Sequence, residues 1–424
     1  MLGNLSSSIE ENQNKIFIIS ILFLFFVFAY YYANNLNALG FYEMMNVAFD
    51  FDQSVFVKAI DGSYLSDITA VEAIWIKHPF VYLYSYFSAF LQFIGFTRFD
   101  SVAIVCILSV TTSLFLMWKT FLLITKNPLV SLLLLILLAS TSSIVSIAVV
   151  FDSYSLLSTW TALAIYLFCR DFYQNKQTPA FILAFIYVML SGITIYMLLL
   201  VFLVELSKGV NNTKNRKVEF KSECKRLLGL AVLSLLYGTI ILIITYPEQF
   251  FILLTSPIDY LRAVLWAIIR PGEAASMFEV LYILFANGLL APQPSLVPIP
   301  GGFSMLDLRS LQYSILEMSA LFFIYLTFVI GLLSKNRIVF MPFLIFVILS
   351  FVFHIEYHDR GSLFLYASHF TFPIFVCLAL GLKQIQSKAT KIVTSVVIAV
   401  VIAITCWSSL NVLSYLNRHI EALI

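Results

Sequence analysis

Long apolar runs alternate with short polar connectors along almost the whole chain. Ten such runs recur, at 16–32, 102–118, 129–149, 153–169, 179–204, 227–245, 314–333, 338–354, 363–382 and 392–410. Most are close to the length of about 20 apolar residues that a helix needs to cross a bilayer. Because backbone polar groups in lipid must bond internally, the runs predict helices. The pattern predicts an all-α polytopic membrane protein with about 10–13 transmembrane or re-entrant helices.

Composition supports this class. Of the 424 residues 61% are hydrophobic and 11% charged, against about 45–50% and about 25% in soluble domains. An ordinary soluble enzyme is therefore excluded. The net charge is +2 and no basic run is interleaved with aromatics, so no nucleic acid partner is expected. We predict a single integral membrane domain, 1–424, whose first apolar run is a retained helix.

Lysine and arginine cluster in alternate connectors, and the positive-inside rule assigns these to the cytoplasm. They include the basic loop at 206–226. The remaining connectors then face outward, among them a first extracytoplasmic loop at 33–78 and a second long region at 246–313. Phe250–Ile269 and Met277–Leu290 look like short in-plane or re-entrant helices there. The absence of a targeting sequence and the Phe/Ile/Lys-rich composition favour a bacterial inner membrane.

Two stretches do not fit a simple alternation. The run at 79–95 is short and rich in tyrosine, and we expect an interfacial or re-entrant helix on the outer face. The run at 179–204 has basic connectors at both ends. Either a hinge at Ser191-Gly192 makes it two short helices, up and back, or it is one tilted helix with an exception to the charge rule. A hinge would favour a lipid-facing groove.

The first outward loop holds the strongest candidates for chemistry. In FDFDQ, Asp50 and Asp52 alternate with phenylalanines, which puts both on one side of an extended stretch. A carboxylate at a hydrocarbon boundary can serve as a general base. Lys77 can hold a phosphate as a point charge, and His78 follows it. The other acids of this loop are expected to solvate the outer face.

Two further outward turns carry ionisable groups. Asp152, in VVFDSYS, is either the N-cap of the next helix or a catalytic acid, and the sequence leaves both open. The turn HIEYHDRGS brings His358 and Arg360 to the outer surface, with His354 beside them, and Arg360 is suited to hold an anion. No metal-ligand spacing or nucleotide-binding motif is present. No cofactor is expected, although the use of a divalent metal stays open.

The order of these features resembles the GT-C superfamily of polytopic glycosyltransferases. The motifs that carry the resemblance are FDFDQSVFVKAIDGSYL, KHPFVYLY, FDSYSLLSTWTALAIYLFCR and YHDRGSLFLYASHFTFP. It implies transfer of a sugar from a polyprenyl-phosphate carrier to a glycan, lipid or protein acceptor at the extracytoplasmic face. By this resemblance Asp52 or Asp50 acts as base or orients the acceptor, Lys77 contacts the carrier phosphate, and Asp152 assists. The sequence departs from many relatives in lacking an adjacent Asp-Glu pair and in having Phe80 where they have a second proline.

Other classes remain as alternatives. A flippase or transporter of lipid-linked sugars would need a continuous polar path, and a proton- or ion-coupled one would need charges near mid-membrane, which the runs lack. A Wzy-like polysaccharide polymerase is kept open by arginines in the second outward region, namely Arg262, Arg270 and Arg309. A catalytically inactive scaffold is the fourth alternative.

Overall fold

The computed structural model describes most of the chain. The described residues are 2–44, 47–49, 53–61, 78, 80–215, 220–245, 276–299, 303–309, 312–334, 336–356, 363–385 and 388–424, with short pieces at 250–251, 254–258 and 262. The α-helices in this part are α1 (Leu2–Ala38), α2 (Gln53–Asp61), α3 (Leu83–Phe93), α4 (Arg98–Thr125), α5 (Pro128–Ser140), α6 (Ser142–Val149), α7 (Ser153–Tyr173), α8 (Ala180–Ile193), α9 (Leu198–Asn215), α10 (Phe220–Thr245), α11 (Met277–Leu281), α12 (Ile315–Leu332), α13 (Arg337–Glu356), α14 (Ala367–Gln384) and α15 (Lys388–Glu421).

The predicted class, a helical membrane protein, is confirmed. Among the described residues six helices are long and apolar enough to cross a bilayer, namely α1, α4, α10, α12, α13 and α15. Large apolar side chains are exposed on the outside of these helices; Leu235, for example, is 72% exposed and Phe322 69%. Lipid can cover such side chains, whereas water could not do so favourably. The polar connectors of the sequence therefore mark the ends of the bundle.

Contacts at the helix ends define two opposite ends of this bundle. At the first, which we call the Asp152 end, Phe99 at the start of α4 packs on Phe151, with ring centroids 6.1 Å apart. At the second, the basic end, the Tyr173 hydroxyl accepts a hydrogen bond from Asn336 at 3.1 Å. The Lys383 ammonium lies 4.7 Å from the Tyr173 ring. Helix α7 runs from one end to the other, about 31 Å over its 21 residues.

The run at 179–204 folds back on itself. The Tyr187 hydroxyl on α8 donates to the Glu205 carboxylate on α9, 18 residues away. In one continuous helix these residues would be about 27 Å apart. The chain reverses at Thr194 and the 3-10 turn Ile195–Met197. Of the two alternatives, the structure therefore has the hairpin, with both outer ends of its helices at the basic end.

The tip of this α8–α9 hairpin contacts the segment before α3. The Phe80 amide donates to the Gly192 carbonyl at 3.1 Å. A Cβ on Gly192 would lie 2.0 Å from the Phe80 ring, so only glycine fits here. Helix α3 itself has 11 residues, about 16 Å, which is too short to span. This agrees with the expected non-spanning helix at 79–95.

The run at 129–149 is broken, although the sequence pattern shows a continuous apolar stretch. Helices α5 and α6 meet at Thr141 with a bend of 60°. The side chains of Ser140 and Thr141 bond back to the carbonyls of Leu137 and Leu138, at 2.9 and 2.8 Å. Such short-range bonding by hydroxyls competes with the regular helix and bends it.

Two loop regions contain more structure than expected. Most of the predicted basic loop 206–226 is helical, because α9 continues to Asn215 and α10 begins at Phe220. Within 246–313 a short antiparallel pair forms, β1 (Ser295–Ile299) and β2 (Phe303–Asp307), with Val297 opposite Met305. The expected helix at Met277–Leu290 is present as α11 followed by a π-helical turn, Tyr282–Asn287. Most of Phe250–Ile269 lies outside the described residues.

Candidate functional site at the Asp152 end

The structure describes two of the seven candidate residues, His78 and Asp152. Asp50, Asp52, Lys77, His358 and Arg360 lie outside the described residues. Their roles stay predictions. Their described neighbours in sequence, among them Phe49 and Gln53, lie at the Asp152 end.

Asp152 is the N-cap of α7, as one of its two interpretations predicted. Its backbone is extended, with φ −151° and ψ 176°. Its amide donates to the Ser155 hydroxyl at 3.4 Å, and the Ser153 hydroxyl donates to its carboxylate at 2.8 Å. The residue is 3% exposed. Asp152 therefore caps α7 at a buried position. Its role as a catalytic acid stays a prediction.

The first loop, which is predicted to face outward, is held against this end of the bundle. The Tyr42 hydroxyl donates to the Val149 carbonyl, and the Tyr42 ring stacks on Phe151 at 4.8 Å. The buried Gln53 side chain donates to the Met44 carbonyl at 2.8 Å. Consequently, the described residues before and after Asp50 and Asp52 are held beside the start of α7.

Phe49 joins this loop to two other segments at the Asp152 end. Its amide donates to the Leu306 carbonyl of β2 at 2.7 Å, and its ring packs on Phe364 at 5.3 Å. Its φ is +56°, in the left-handed region that bulky side chains rarely adopt. Such strain costs on the order of 1–3 kcal/mol and persists only where the surroundings impose it. The first loop, the β pair and the segment after His358 and Arg360 thus meet at one residue.

Asn287 holds the second long region, 246–313, against the bundle. Its amide donates to the Leu308 carbonyl at 2.5 Å, and its side-chain oxygen accepts from the Tyr313 hydroxyl. The Ser142 hydroxyl donates to its backbone carbonyl. Burial raises the pKa of Tyr313 well above its usual value, so this hydroxyl stays a donor. Ser142, which follows the bend at Thr141, therefore holds the second region against the start of α6.

His78 is a half-buried residue at the hairpin tip. Its Nδ1 hydrogen-bonds the Ile193 carbonyl, and its ring meets Phe56 of α2 edge-on at 5.3 Å. One ring nitrogen is thus used in holding the segment before α3 against the α8–α9 hairpin. A role in substrate binding stays a prediction for this residue.

Three tyrosines and two histidines form a cluster next to this tip, which we call the histidine cluster: Tyr154, Tyr196, His354, Tyr366 and His369. All are buried except Tyr196, which is partly buried. The His369 ring lies 4.9 Å from Tyr154 and 5.6 Å from Tyr196. His354 lies 4.7 Å from Tyr366 and 5.7 Å from Tyr196. The cluster joins the starts of α7 and α14, the tip of the hairpin and the end of α13.

The expectation that His354 lies on the outer surface is wrong. Helix α13 continues to Glu356, so His354 belongs to its last turn and is 1% exposed. Its Nδ1 hydrogen-bonds the Ser350 carbonyl at 2.8 Å. The turn predicted from HIEYHDRGS therefore does not include His354, which is still part of α13.

His369 is the residue that sequence reasoning missed. It is 3% exposed, and neither of its ring nitrogens has a hydrogen-bond partner among the residues that the structure describes. The neighbouring Ser368 hydroxyl and the Thr194 hydroxyl at the hairpin tip are also buried and unpartnered there. His78 and His354 are close enough to His369 to act on it electrostatically. In native proteins such groups call for an explanation, such as a catalytic role or a bound water or ion.

The chemistry available to the histidine cluster follows from this inventory. It offers imidazole nitrogens and hydroxyls that can donate or accept, framed by aromatic faces. Within the described part of the chain, no group of three or more His, Cys, Asp or Glu side chains is arranged to hold a metal ion. Neutral polar groups among aromatic walls are typical of sites for small polar organic ligands. No family model matches the sequence, and no curated protein is found to be similar to it.

Proposed function

We propose that the chain is a membrane glycosyltransferase that moves a sugar from a polyprenyl-phosphate carrier to a glycan, lipid or protein acceptor. The reaction takes place at the Asp152 end, which faces away from the cytoplasm. The observation that carries the proposal is the histidine cluster, where the buried His369 ring has no hydrogen-bond partner among the described residues. The hydroxyls of Ser368, next to it in sequence, and of Thr194, two residues before Tyr196, are likewise buried and unpartnered there. Sugar hydroxyls require both donors and acceptors, and these three side chains supply them.

The location of the cluster supports the same proposal. His78 follows Lys77 directly, Phe49 precedes Asp50, and the turn with His358 and Arg360 lies between His354 and Phe364. Each of these described neighbours contacts the Asp152 end. A carrier whose isoprenoid tail stays in lipid would present its phosphate at this level of the membrane.

In the proposed reaction Asp52 or Asp50 accepts the proton of the acceptor hydroxyl. The acceptor oxygen then forms a bond to the anomeric carbon. The bond from that carbon to the phosphate oxygen breaks, and its electron pair stays on the departing polyprenyl phosphate. Lys77 and Arg360 stabilise the charge of this leaving group. His369 and the tyrosine rings orient the sugar.

The test is transfer of labelled sugar from a set of polyprenyl-phosphate donors by the purified protein in liposomes. General-base catalysis supplies typically about 10²–10⁴-fold, so Asp52→Asn or Asp50→Asn should lower transfer by about that factor. Glu43→Gln is the matched control, since Glu43 is an exposed acid of the same loop. Full activity in both aspartate variants would contradict the assignment of the base. Movement of the donor across the bilayer without covalent transfer would instead favour the flippase alternative.

A further inference from the structure

A second polar site lies at the basic end, far from the histidine cluster. It is a cavity of about 300 Å³ between the ends of α7, α8, α9, α10 and α13. Its polar walls include Asp171, Lys176, Thr178, Lys208, Glu223 and Arg226. The proposed glycosyl transfer uses none of these residues.

The carboxylates of this cavity already have partners. Asp171 accepts from Arg170 at 3.0 Å and from the Thr178 hydroxyl at 2.7 Å. Glu205, just behind the wall, accepts from Arg226 at 2.5 Å and pairs with Lys208 at 3.1 Å. These acids therefore serve to orient the cations beside them.

Glu223 completes this arrangement from α10. It accepts from Arg226 Nε at 2.7 Å and from the Asn212 amide at 2.7 Å. The three carboxylates here are thus Asp171, Glu205 and Glu223, and each has at least two hydrogen-bond or ion-pair partners.

The cations, by contrast, have donors to spare. Arg226 Nη2 and Arg170 Nε are buried and have no hydrogen-bond partner among the described residues. Lys176 is an exposed residue of the cavity wall and pairs with no carboxylate among the described residues. Among the described residues in and just behind the cavity wall, four cations stand against three carboxylates. The cations are Arg170, Lys176, Lys208 and Arg226, and the carboxylates are Asp171, Glu205 and Glu223. An excess of positive charge with unused donors attracts an anion, not a metal ion.

The level of the cavity in the membrane suggests where such an anion comes from. Phe181 and Phe220, near its rim, are 55% and 77% exposed at the starts of α8 and α10. Exposed apolar side chains beside charged groups fit the boundary between the hydrocarbon core and the polar headgroups. Basic pockets between membrane helices on the cytoplasmic side are suited to the phosphates of anionic lipids.

We infer that this cavity is a binding site for a phosphate group, held by the Arg226 guanidinium and the Lys176 ammonium. The phosphate belongs either to the headgroup of an anionic phospholipid or to a free phosphate ion. Bound there, it links α7, the α8–α9 hairpin and α10, and so stabilises the base of the hairpin whose tip forms part of the histidine cluster. The inference does not depend on the proposed transferase activity.

The experiment measures thermal unfolding of the purified full chain in nonionic detergent. One arm adds inorganic phosphate, with sodium chloride at equal ionic strength as its reference. The other adds short-chain phosphatidylglycerol, with a short-chain diacylglycerol as its reference. We expect a saturable rise of the unfolding midpoint, because a ligand that binds only the folded state stabilises it. A rise in the phosphate arm identifies a free ion as ligand, and one confined to the lipid arm identifies a headgroup.

Variants locate the effect. Arg226→Lys keeps the charge but cannot present the fork of a guanidinium, and Lys176→Gln removes a cation without disturbing a described ion pair. Each should raise the ligand concentration for half-maximal stabilisation at least tenfold. Lys225→Gln is the control, since Lys225 is an exposed cation on the same helix outside the cavity wall. The inference is overturned if neither ligand shifts the wild-type midpoint, or if both cavity variants respond like the control.

Discussion

An imidazole that is buried without partners is costly, at about 1–3 kcal/mol for an unsatisfied polar group. Neither the His369 ring nor the Thr194 hydroxyl has a hydrogen-bond partner among the described residues, so both carry this cost. Sequence reasoning passes over His369 because ASHFTFP reads as the start of an apolar helix, and nothing in the pattern shows which side chains lack partners. Asp152 differs, because an aspartate between two apolar runs already indicates a helix cap.

His369→Phe tests whether this histidine serves a ligand. The substitution keeps a planar ring of similar shape and removes the unsatisfied nitrogens, so the unfolding midpoint should stay the same or rise. Sugar transfer should fall by about 10²-fold or more, as expected when an orienting group is lost. Thr194→Val is a second, nearly isosteric change with the same expectation for stability. If His369→Phe lowered the midpoint and left transfer unchanged, the residue would be a packing element instead.

At the scale of elements, close helix contacts depend on single glycines. Gly381 of α14 faces the Thr327 carbonyl of α12, and a Cβ on it would lie 2.0 Å from that oxygen. Small residues allow this approach of two backbones, which is a main source of packing energy between helices in membranes. Pattern analysis finds both helices from their apolar runs but gives no hint of which face meets which.

Gly381→Ala should therefore destabilise the bundle. The added methyl group forces α12 and α14 apart, and overpacking of this kind costs typically about 1–3 kcal/mol. Thermal unfolding in detergent, followed by size-exclusion chromatography, measures the fall in the unfolding midpoint. Gly229→Ala is the matched control on α10, where a Cβ meets nothing within 4 Å and alanine has the higher helix propensity. Equal midpoints for the two variants would show that this contact contributes little.

At the scale of the whole molecule, the sequence predicts the long helices that contact lipid and misses the features that depend on local hydrogen bonds. The apolar runs place most of the long helices, because an apolar surface must face lipid. The bend at Thr141 and the β pair at 295–307 depend on hydroxyl-to-carbonyl bonds and strand pairing that hydropathy does not register. The hairpin is an intermediate case. The basic connectors at both ends of 179–204 leave a hairpin and a single tilted helix as alternatives, and the contact of Tyr187 with Glu205 identifies the hairpin.

The reversal makes a topological prediction that labelling of single cysteines can check. The described residues between positions 174 and 216 form the α8–α9 hairpin, and position 224 lies in the first turns of α10, so we expect both to face the same side of the membrane. Cys224 is an exposed free cysteine in the wild type. Gln174→Cys, in a Cys224→Ser background, adds an exposed probe just before α8.

A membrane-impermeant maleimide should leave both positions unlabelled in intact cells and label both in inverted vesicles. Glu43→Cys, exposed at the Asp152 end, should show the opposite pattern in the same background. Labelling of 174 and 224 from opposite sides would mean that 179–204 crosses the membrane once. Its tip could then not lie beside His369, and the site built on that contact would be lost. Labelling of 43 together with 224 would put the two ends of the bundle on one face and remove the outward orientation on which the proposed transfer depends.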